Sequence, residues 1–255
     1  FLDRIKKYYD AAAEQAEYGN LKPALDQWTN KHTAGLIKKS AIIPNESIRL
    51  VLQDALLFAA KWQKQFETDS AELDFHTEDG TVKTSTLSAE IDCKYTKTDQ
   101  MQAVRLNYDQ NLAMDVILPT ARNPLDLTAE LLSDCDQKLA KATKKSVQVV
   151  MPPCDLTAKL DLKENLETLG VNLDHFDGIF NDAAIDQAVQ QVKLIVTAKG
   201  TVGAALTEIA VQEMSAPVEE PIRFIVDRPY LMRVLDTRTG WPLFLAVVTN
   251  PKASS

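Results

Sequence analysis

An α+β domain is what this sequence predicts, on three observations. Apolar residues recur at helical spacing early in the chain, from Leu2 through Ile5, Tyr8, Tyr9 and Ala12, and again from Leu25 through Trp28 to Leu36. A succession of short apolar or alternating runs follows, each bounded by turn residues, as strands are. No internal repeat and no low-complexity linker divides the chain, so a single domain over residues 1–255 is expected.

In chain order, the spacing predicts helices over 1–16 and 24–37. Ile48 to Phe58 is nearly continuous in apolar residues and is expected to be a strand buried on both faces. Asp74-Phe75-His76, Gly80 and the alternation through Leu87 predict a strand, a turn and a second strand. Gln102 to Pro119 reads as two antiparallel strands around an Asn107 to Asn111 turn, the second being Ala113 to Leu118. A short helix is expected over Leu125 to Lys138 and a strand over Ser146 to Met151. Asp161-Leu162-Lys163 opens another helix that ends at Leu169-Gly170, with glycine as the cap. Strands follow at Val189 to Val196, Ile222 to Val226, Tyr230 to Leu235 and Leu243 to Val248, with Thr237-Arg238-Thr239-Gly240 as a hairpin turn.

Composition excludes several function classes. With 45% hydrophobic and 25% charged residues the chain has the make-up of a globular protein with a large core. A net charge of −8 argues against a nucleic-acid partner, because phosphate neutralisation needs a basic face. Lys138, Lys141, Lys144 and Lys145 read as a solvated helix end. Cys93, Cys135 and Cys154 are too few and too scattered for a disulfide framework or a zinc site. The longest apolar run, around Ala55 to Ala60, is far short of a membrane span, so no membrane partner is expected. His32, His76 and His175 fall in no nucleophile elbow, zinc-helix motif or phosphate loop, and Gly200 to Gly203 lacks the lysine of a phosphate cradle. No catalytic residue, metal ligand or cofactor is therefore expected.

The stretch from Val196 to Pro217 fits neither a helix nor a resident strand. With period two, Thr201, Gly203, Ala205 and Thr207 share one side and are all small, while Val202, Ala204, Leu206 and Glu208 share the other. Two glycines weaken it as a permanent strand, and Pro217, Glu219, Glu220 and Pro221 behind it read as exposed loop. The segment is expected to be a loop able to become a strand.

Several of these stretches together resemble the serpins, and the antitrypsin-like members in particular. The resemblance is carried by Gly200-Thr201, the small residues behind it, the fifteen residues from Gly200 to Met214, and the tail from Asp227-Arg228-Pro229-Tyr230 to Asn250-Pro251. Trp28, Thr33, Gly35 and Ile37, then Gln53-Asp54-Ala55, Phe58, Lys61-Trp62 and Phe66, and Asp74-Phe75-His76 extend it along the chain. It implies an α+β serpin fold with a large central β-sheet, two smaller sheets, surrounding helices and a mobile reactive centre loop at about 198–221. It also implies that the chain starts about a third of the way into a complete serpin, after an N-terminal portion that includes helices and one strand.

The function implied is a suicide-substrate inhibitor of serine proteases, not an enzyme. Its reactive bond would be Met214-Ser215, or one residue earlier with Glu213 as the bait. The hinge would comprise Gly200, Thr201, Gly203, Ala204, Ala205 and Thr207. Unbranched, apolar Met214 suits an elastase-like or chymotrypsin-like pocket. A monomer is expected, with secretion the expected localisation and an intracellular one left open. In the region where the family's sheet opens, Trp62 is kept, but Asp54 and Gln190 stand for the usual asparagine and histidine, and Ala198 and Pro153 for the usual glutamate and lysine. Gln190 could donate to the Asp54 carboxylate, and loss of both charges at Ala198 and Pro153 orphans neither. The alternative is a non-inhibitory serpin: a carrier, chaperone or storage protein.

Overall fold

The computed structural model describes residues 2–120, 128–174, 184–201 and 220–251. The helices are α1 (Leu2–Tyr9), α2 (Tyr18–His32), α3 (Ala129–Lys141) and α4 (Lys163–Thr168). The strands begin with β1 (Val51–Leu57), β2 (Ala60–Lys61), β3 (Glu67–Thr77), β4 (Gly80–Lys97), β5 (Met101–Asn107) and β6 (Leu112–Pro119). Then come β7 (Lys144–Met151), β8 (Cys154–Asp161), β9 (Gln187–Thr197), β10 (Gly200–Thr201), β11 (Ile222–Ile225), β12 (Tyr230–Asp236) and β13 (Pro242–Val248). They divide between two compact units, one built mainly from residues 1–57 and 156–193, the other from 58–155 and 194–254.

In the first unit, α1 stops at Tyr9 and not near Ala16, as the spacing suggested. Beyond Tyr9 only alanines supply apolar surface, and the chain closes on itself: Asp10 takes φ +50° and the Ala11 amide donates to the Ile5 carbonyl. Helix α2 likewise starts earlier than expected, at Tyr18, and ends at His32 because Ala34 and Gly35 both take positive φ. Pro23 lies inside α2, where it has no N–H to donate to the preceding turn.

Strand β1 pairs in parallel with residues 187–193 of β9, from Val51 opposite Gln187 to Leu57 opposite Lys193. It is not buried on both faces as its apolar run suggested. Leu52 is 49% exposed, and the covered side is the one where Gln53 donates to the Leu25 carbonyl of α2. A small core of Leu173, Ile185 and Ala188, with Leu50, Leu162 and Leu166 against it, packs beside α4. Helix α4 ends as predicted, with Gly170 at φ +82° and the Val171 amide returning to the Leu166 carbonyl.

The second unit holds an eight-stranded sheet in the order β11-β7-β4-β5-β6-β12-β13, with β3 paired to β4. Eighteen-residue β4 pairs with β3 and β7 over most of its length and with β5 at Lys94 to Lys97. One long strand thus joins β3 and β7 to the β5–β6–β12–β13 part of the sheet in a continuous ladder. The β5–β6 turn matches its prediction, and Gln110 and Asn111 take the left-handed conformations that such tight hairpins need. Strand β8 was not foreseen, because Cys154 to Asp161 is polar and mostly exposed after its first residue. Helix α3 begins at Ala129, its Thr128 hydroxyl accepting the Leu131 amide, and the expected residues 125–127 lie outside the described part.

The central strands β6 and β12 are buried along nearly their whole length, yet each holds a buried charge, Asp115 in β6 and Arg233 in β12. In register across three strands, Arg105, Asp115 and Arg233 lie side by side. Arg105 makes a two-point contact with Asp115 at 2.7 and 2.9 Å, and Arg233 reaches the same carboxylate at 2.6 Å. Arg233 also donates to Asp136 of α3, which ties the helix to the sheet. Met101, Ala103, Ile117, Leu131, Cys135, Leu139 and Leu231 fill the space between them.

Candidate functional site

The residues singled out from the sequence around the hinge gather in the second unit, where β9 ends. After Thr197 the chain turns through Ala198 and Lys199 and comes back as β10, which is antiparallel to β9 on one side and to β2 on the other. Gly200 lies opposite Thr197 and Lys61, and Thr201 opposite Val196 and Ala60. The sequence read Gly200 and Thr201 as the start of a loop, because glycine weakens a permanent strand. They are instead a resident strand, and glycine is the reason. A Cβ on Gly200 would stand 2.2 Å from the Ala60 carbonyl oxygen and 2.9 Å from the Lys61 Cα, so only a bare backbone lets β2 approach this closely. Its φ of +155° is also costly for any other residue.

Thr201 is fully buried, and its side-chain oxygen is 2.6 Å from the Tyr108 hydroxyl. Burial pushes the Tyr108 phenol far above its ordinary range, the contact with Thr201 only partly offsetting this, so the group is a neutral hydroxyl. Tyr108 stacks on Trp62, with ring centroids 4.0 Å apart and planes 12° from parallel. Phe58 meets Tyr108 edge-on at 5.3 Å, and Phe66 meets Trp62 edge-on at 5.6 Å. The Trp62 indole N–H donates to the Thr197 carbonyl at 2.9 Å, the Trp62 amide to Lys199 at 3.2 Å and the Phe66 amide to Ala198 at 2.9 Å. The carbonyls of Thr197, Ala198 and Lys199 are thereby paired with this aromatic segment, and the Thr197 hydroxyl donates to the Gly200 carbonyl.

Trp62 and Ala198 are therefore brought together with Gly200 and Thr201. Pro153, half-buried between β7 and β8, carries no charge into this region. In the first unit Asp54 and Gln190 are register partners, and the Gln190 amide donates to the Asp54 carboxylate at 2.7 Å on an exposed face. Gly203, Ala204, Ala205, Thr207, Met214 and Ser215 lie outside the described residues. Tyr108 was not singled out from the sequence, where it is one more residue of a hairpin turn. A large aromatic in a turn otherwise made of Asn107, Asp109, Gln110 and Asn111 was the available signal. Gln191 was missed too: its side chain accepts from the Ala41 amide at 2.8 Å and donates to the Lys39 carbonyl at 3.1 Å, pinning that segment to β9.

Among the described residues no helix is long and apolar enough to cross a membrane. Comparison with known proteins gives a consistent family. The sequence model of the serpins, described as serine protease inhibitor, matches residues 1–251. An uncharacterised serpin-like protein of Thermococcus kodakarensis is 28% identical over 267 residues, an alignment covering 99% of this chain and 62% of the relative. Plasminogen activator inhibitor 1 of Bos taurus is 28% identical over 281 residues, covering 98% of this chain and 67% of that protein. This chain thus spans roughly two thirds of the length of these relatives. A crystal structure described as that of a highly specific serpin of the insect Tenebrio molitor superposes with a TM-score of 0.79 at 24% identity, covering 98% of this chain and 70% of the other. The match along nearly the whole sequence, and the same fold in the solved relative, establish that the chain belongs to the serpin family.

Proposed function

We propose that this protein inhibits serine proteases as a suicide substrate, with the bond at or near Met214-Ser215 as bait. The observation that supports this reading best is the seating of β10: Thr201 already occupies a fully buried strand position between β9 and β2. A loop attached at this point starts from inside a sheet, and its next inward positions, Gly203, Ala205 and Thr207, are small enough to follow. The family membership and the likeness to a plasminogen activator inhibitor point the same way.

The proposed reaction begins when the protease serine oxygen attacks the Met214 carbonyl. The Met214-Ser215 peptide bond breaks, Ser215 leaves as a protonated amine, and Met214 becomes an ester on the protease. The freed segment from Val202 onward then extends β10 as an antiparallel strand and carries the tethered protease with it. Insertion parts β1 from β9, giving up the parallel pairing of Val51 to Leu57 with Gln187 to Lys193, and pairs the new strand on both sides; a net gain of several ladder bonds at about 0.5–1.5 kcal/mol each supplies on the order of 5 kcal/mol. That is enough to distort a catalytic site that works only within about 0.5 Å.

The test is to incubate the full-length protein with an elastase-like and a chymotrypsin-like protease, look for an SDS-stable complex, and locate the cut. A complex with the cut at Met214-Ser215 is the expected result. Thr201→Arg would put a cation into the closed slot facing Tyr108 and turn the inhibitor into a substrate. Clean cleavage of the unaltered protein without any complex would sink this reading in favour of a carrier, chaperone or storage role. Secretion and action as a monomer are part of the same proposal.

A further inference from the structure

We propose that Asn45 is the acceptor for an N-linked oligosaccharide, presented on a short exposed turn that precedes β1. This rests on the secretion included in the reading above, not on inhibition itself. Asn45-Glu46-Ser47 is the only place in the sequence where an asparagine is followed, after one residue other than proline, by serine or threonine. The pattern supplies a carboxamide nitrogen and a hydroxyl at the spacing that a glycan transferase reads. Transfer needs those residue types; keeping the product also needs a folded chain with room for it.

That room is present. Asn45, Glu46 and Ser47 are all exposed. The Asn45 side-chain oxygen accepts the Ser47 amide at 3.0 Å and the Ser47 hydroxyl at 2.6 Å, and the Asn45 carbonyl accepts the Ile48 amide at 3.2 Å. These bonds engage only the oxygens of Asn45. Among the described residues its side-chain nitrogen has no partner, so a sugar in place of one hydrogen breaks none of them and orphans no buried group. Both ends of the turn are anchored. The Gln187 side chain accepts the Ile43 amide at 3.1 Å and donates to the Ile43 carbonyl at 2.7 Å, while the Asp186 carboxylate accepts the amides of Arg49 and Leu50 at 2.8 and 3.1 Å. Residues 45–47 thus project from a fixed frame. Two other asparagines show what is missing elsewhere. Asn172 makes a similar turn with the Asp174 amide at 2.8 Å, but a carboxylate stands where the hydroxyl is needed, and Asn165 commits its nitrogen to the Asp161 carbonyl at 3.2 Å.

The donor is an oligosaccharide joined to a polyprenyl diphosphate. Its bond from sugar carbon to phosphate oxygen breaks, a carbon–nitrogen bond forms at Asn45 Nδ2, one amide proton is released and the polyprenyl diphosphate leaves. Nothing is oxidised or reduced.

Peptide mass mapping of the full-length protein from its own organism, with and without peptide N-glycosidase, tests the proposal. A glycan is expected on the peptide that holds Asn45, and the enzyme should remove it and leave an aspartate there. A bare Asn45 overturns the proposal. In a secreting eukaryotic host, Asn45→Gln and Ser47→Ala should abolish the modification and Ser47→Thr should retain it; a glycan that persists at this peptide in Ser47→Ala also overturns it. A glycan at Asn45 in a protein that forms no protease complex counts against the inhibitor reading and leaves the site standing. A protease complex from a protein with a bare Asn45 does the reverse.

Discussion

Replacing Gly200 by alanine probes the feature that turned an expected loop into a strand. The added Cβ would sit 2.2 Å from the Ala60 carbonyl oxygen, about 1.2 Å inside ordinary van der Waals contact. Both partners are backbone, so no side chain can swing away. Strand β2 would have to retreat by about an ångström, more than the roughly 0.5 Å range of a good N–H···O bond can absorb. The bond from the Trp62 amide to Lys199, already 3.2 Å long, is the first to break. Backbone strain at φ +155° adds about 1–3 kcal/mol, and one or two lost bonds add about 0.5–1.5 kcal/mol each. The expected loss is about 2–4 kcal/mol in urea unfolding of the full-length protein, with faster amide exchange confined to residues 60–62 and 196–201. If Gly200→Ala unfolds at the parent's urea concentration with unchanged exchange there, the close approach of β2 and β10 is not what holds this strand in place.

Three other outcomes follow from the packing and electrostatics. Asp115→Asn leaves Arg105 and Arg233 facing each other without their shared carboxylate and should cost about 3–5 kcal/mol in urea unfolding; a loss under 1 kcal/mol would show the cluster to be dispensable. The thiols of Cys93, Cys135 and Cys154 are each pushed up to about 12 by burial, so at pH 8 none should react with a thiol reagent until denaturant is added. The amides of Arg238 and Thr239 donate to the Asp236 carboxylate and hold its pKa below the ordinary 3.8. A depressed folded value means that this turn is favoured above the unfolded pKa and loosens as pH falls through the lower folded one. An NMR titration of Asp236 should accordingly show a midpoint below 3.8, and a midpoint at or above it would contradict the turn geometry.

How much was legible in the sequence depended on whether neighbours in sequence were also neighbours in space. The β3–β4 and β5–β6 hairpins and the end of α4 could be read because their turns contain their own determinants: Gly80, Asn111 and Gly170 each take a positive φ. The exposure of Leu52 could not, since an apolar run does not say whether one face or two will be covered. Nor could β8, whose polar residues owe their strand state to pairing with β9. The charged trio of Arg105, Asp115 and Arg233 is scattered over 129 positions, and only strand register brings it together.

At the candidate site the same division holds. By itself the sequence determined that a glycine precedes small residues at every second position, the pattern behind the expectation that this segment can join a sheet. Local backbone sterics and side-chain size need no partner to be read. Only the tertiary structure decided that Gly200 and Thr201 are already a strand and that Tyr108, 93 residues away, holds the Thr201 hydroxyl. Strand pairing and buried hydroxyl contacts belong to pairs of distant segments, so their energy exists only once the chain has folded.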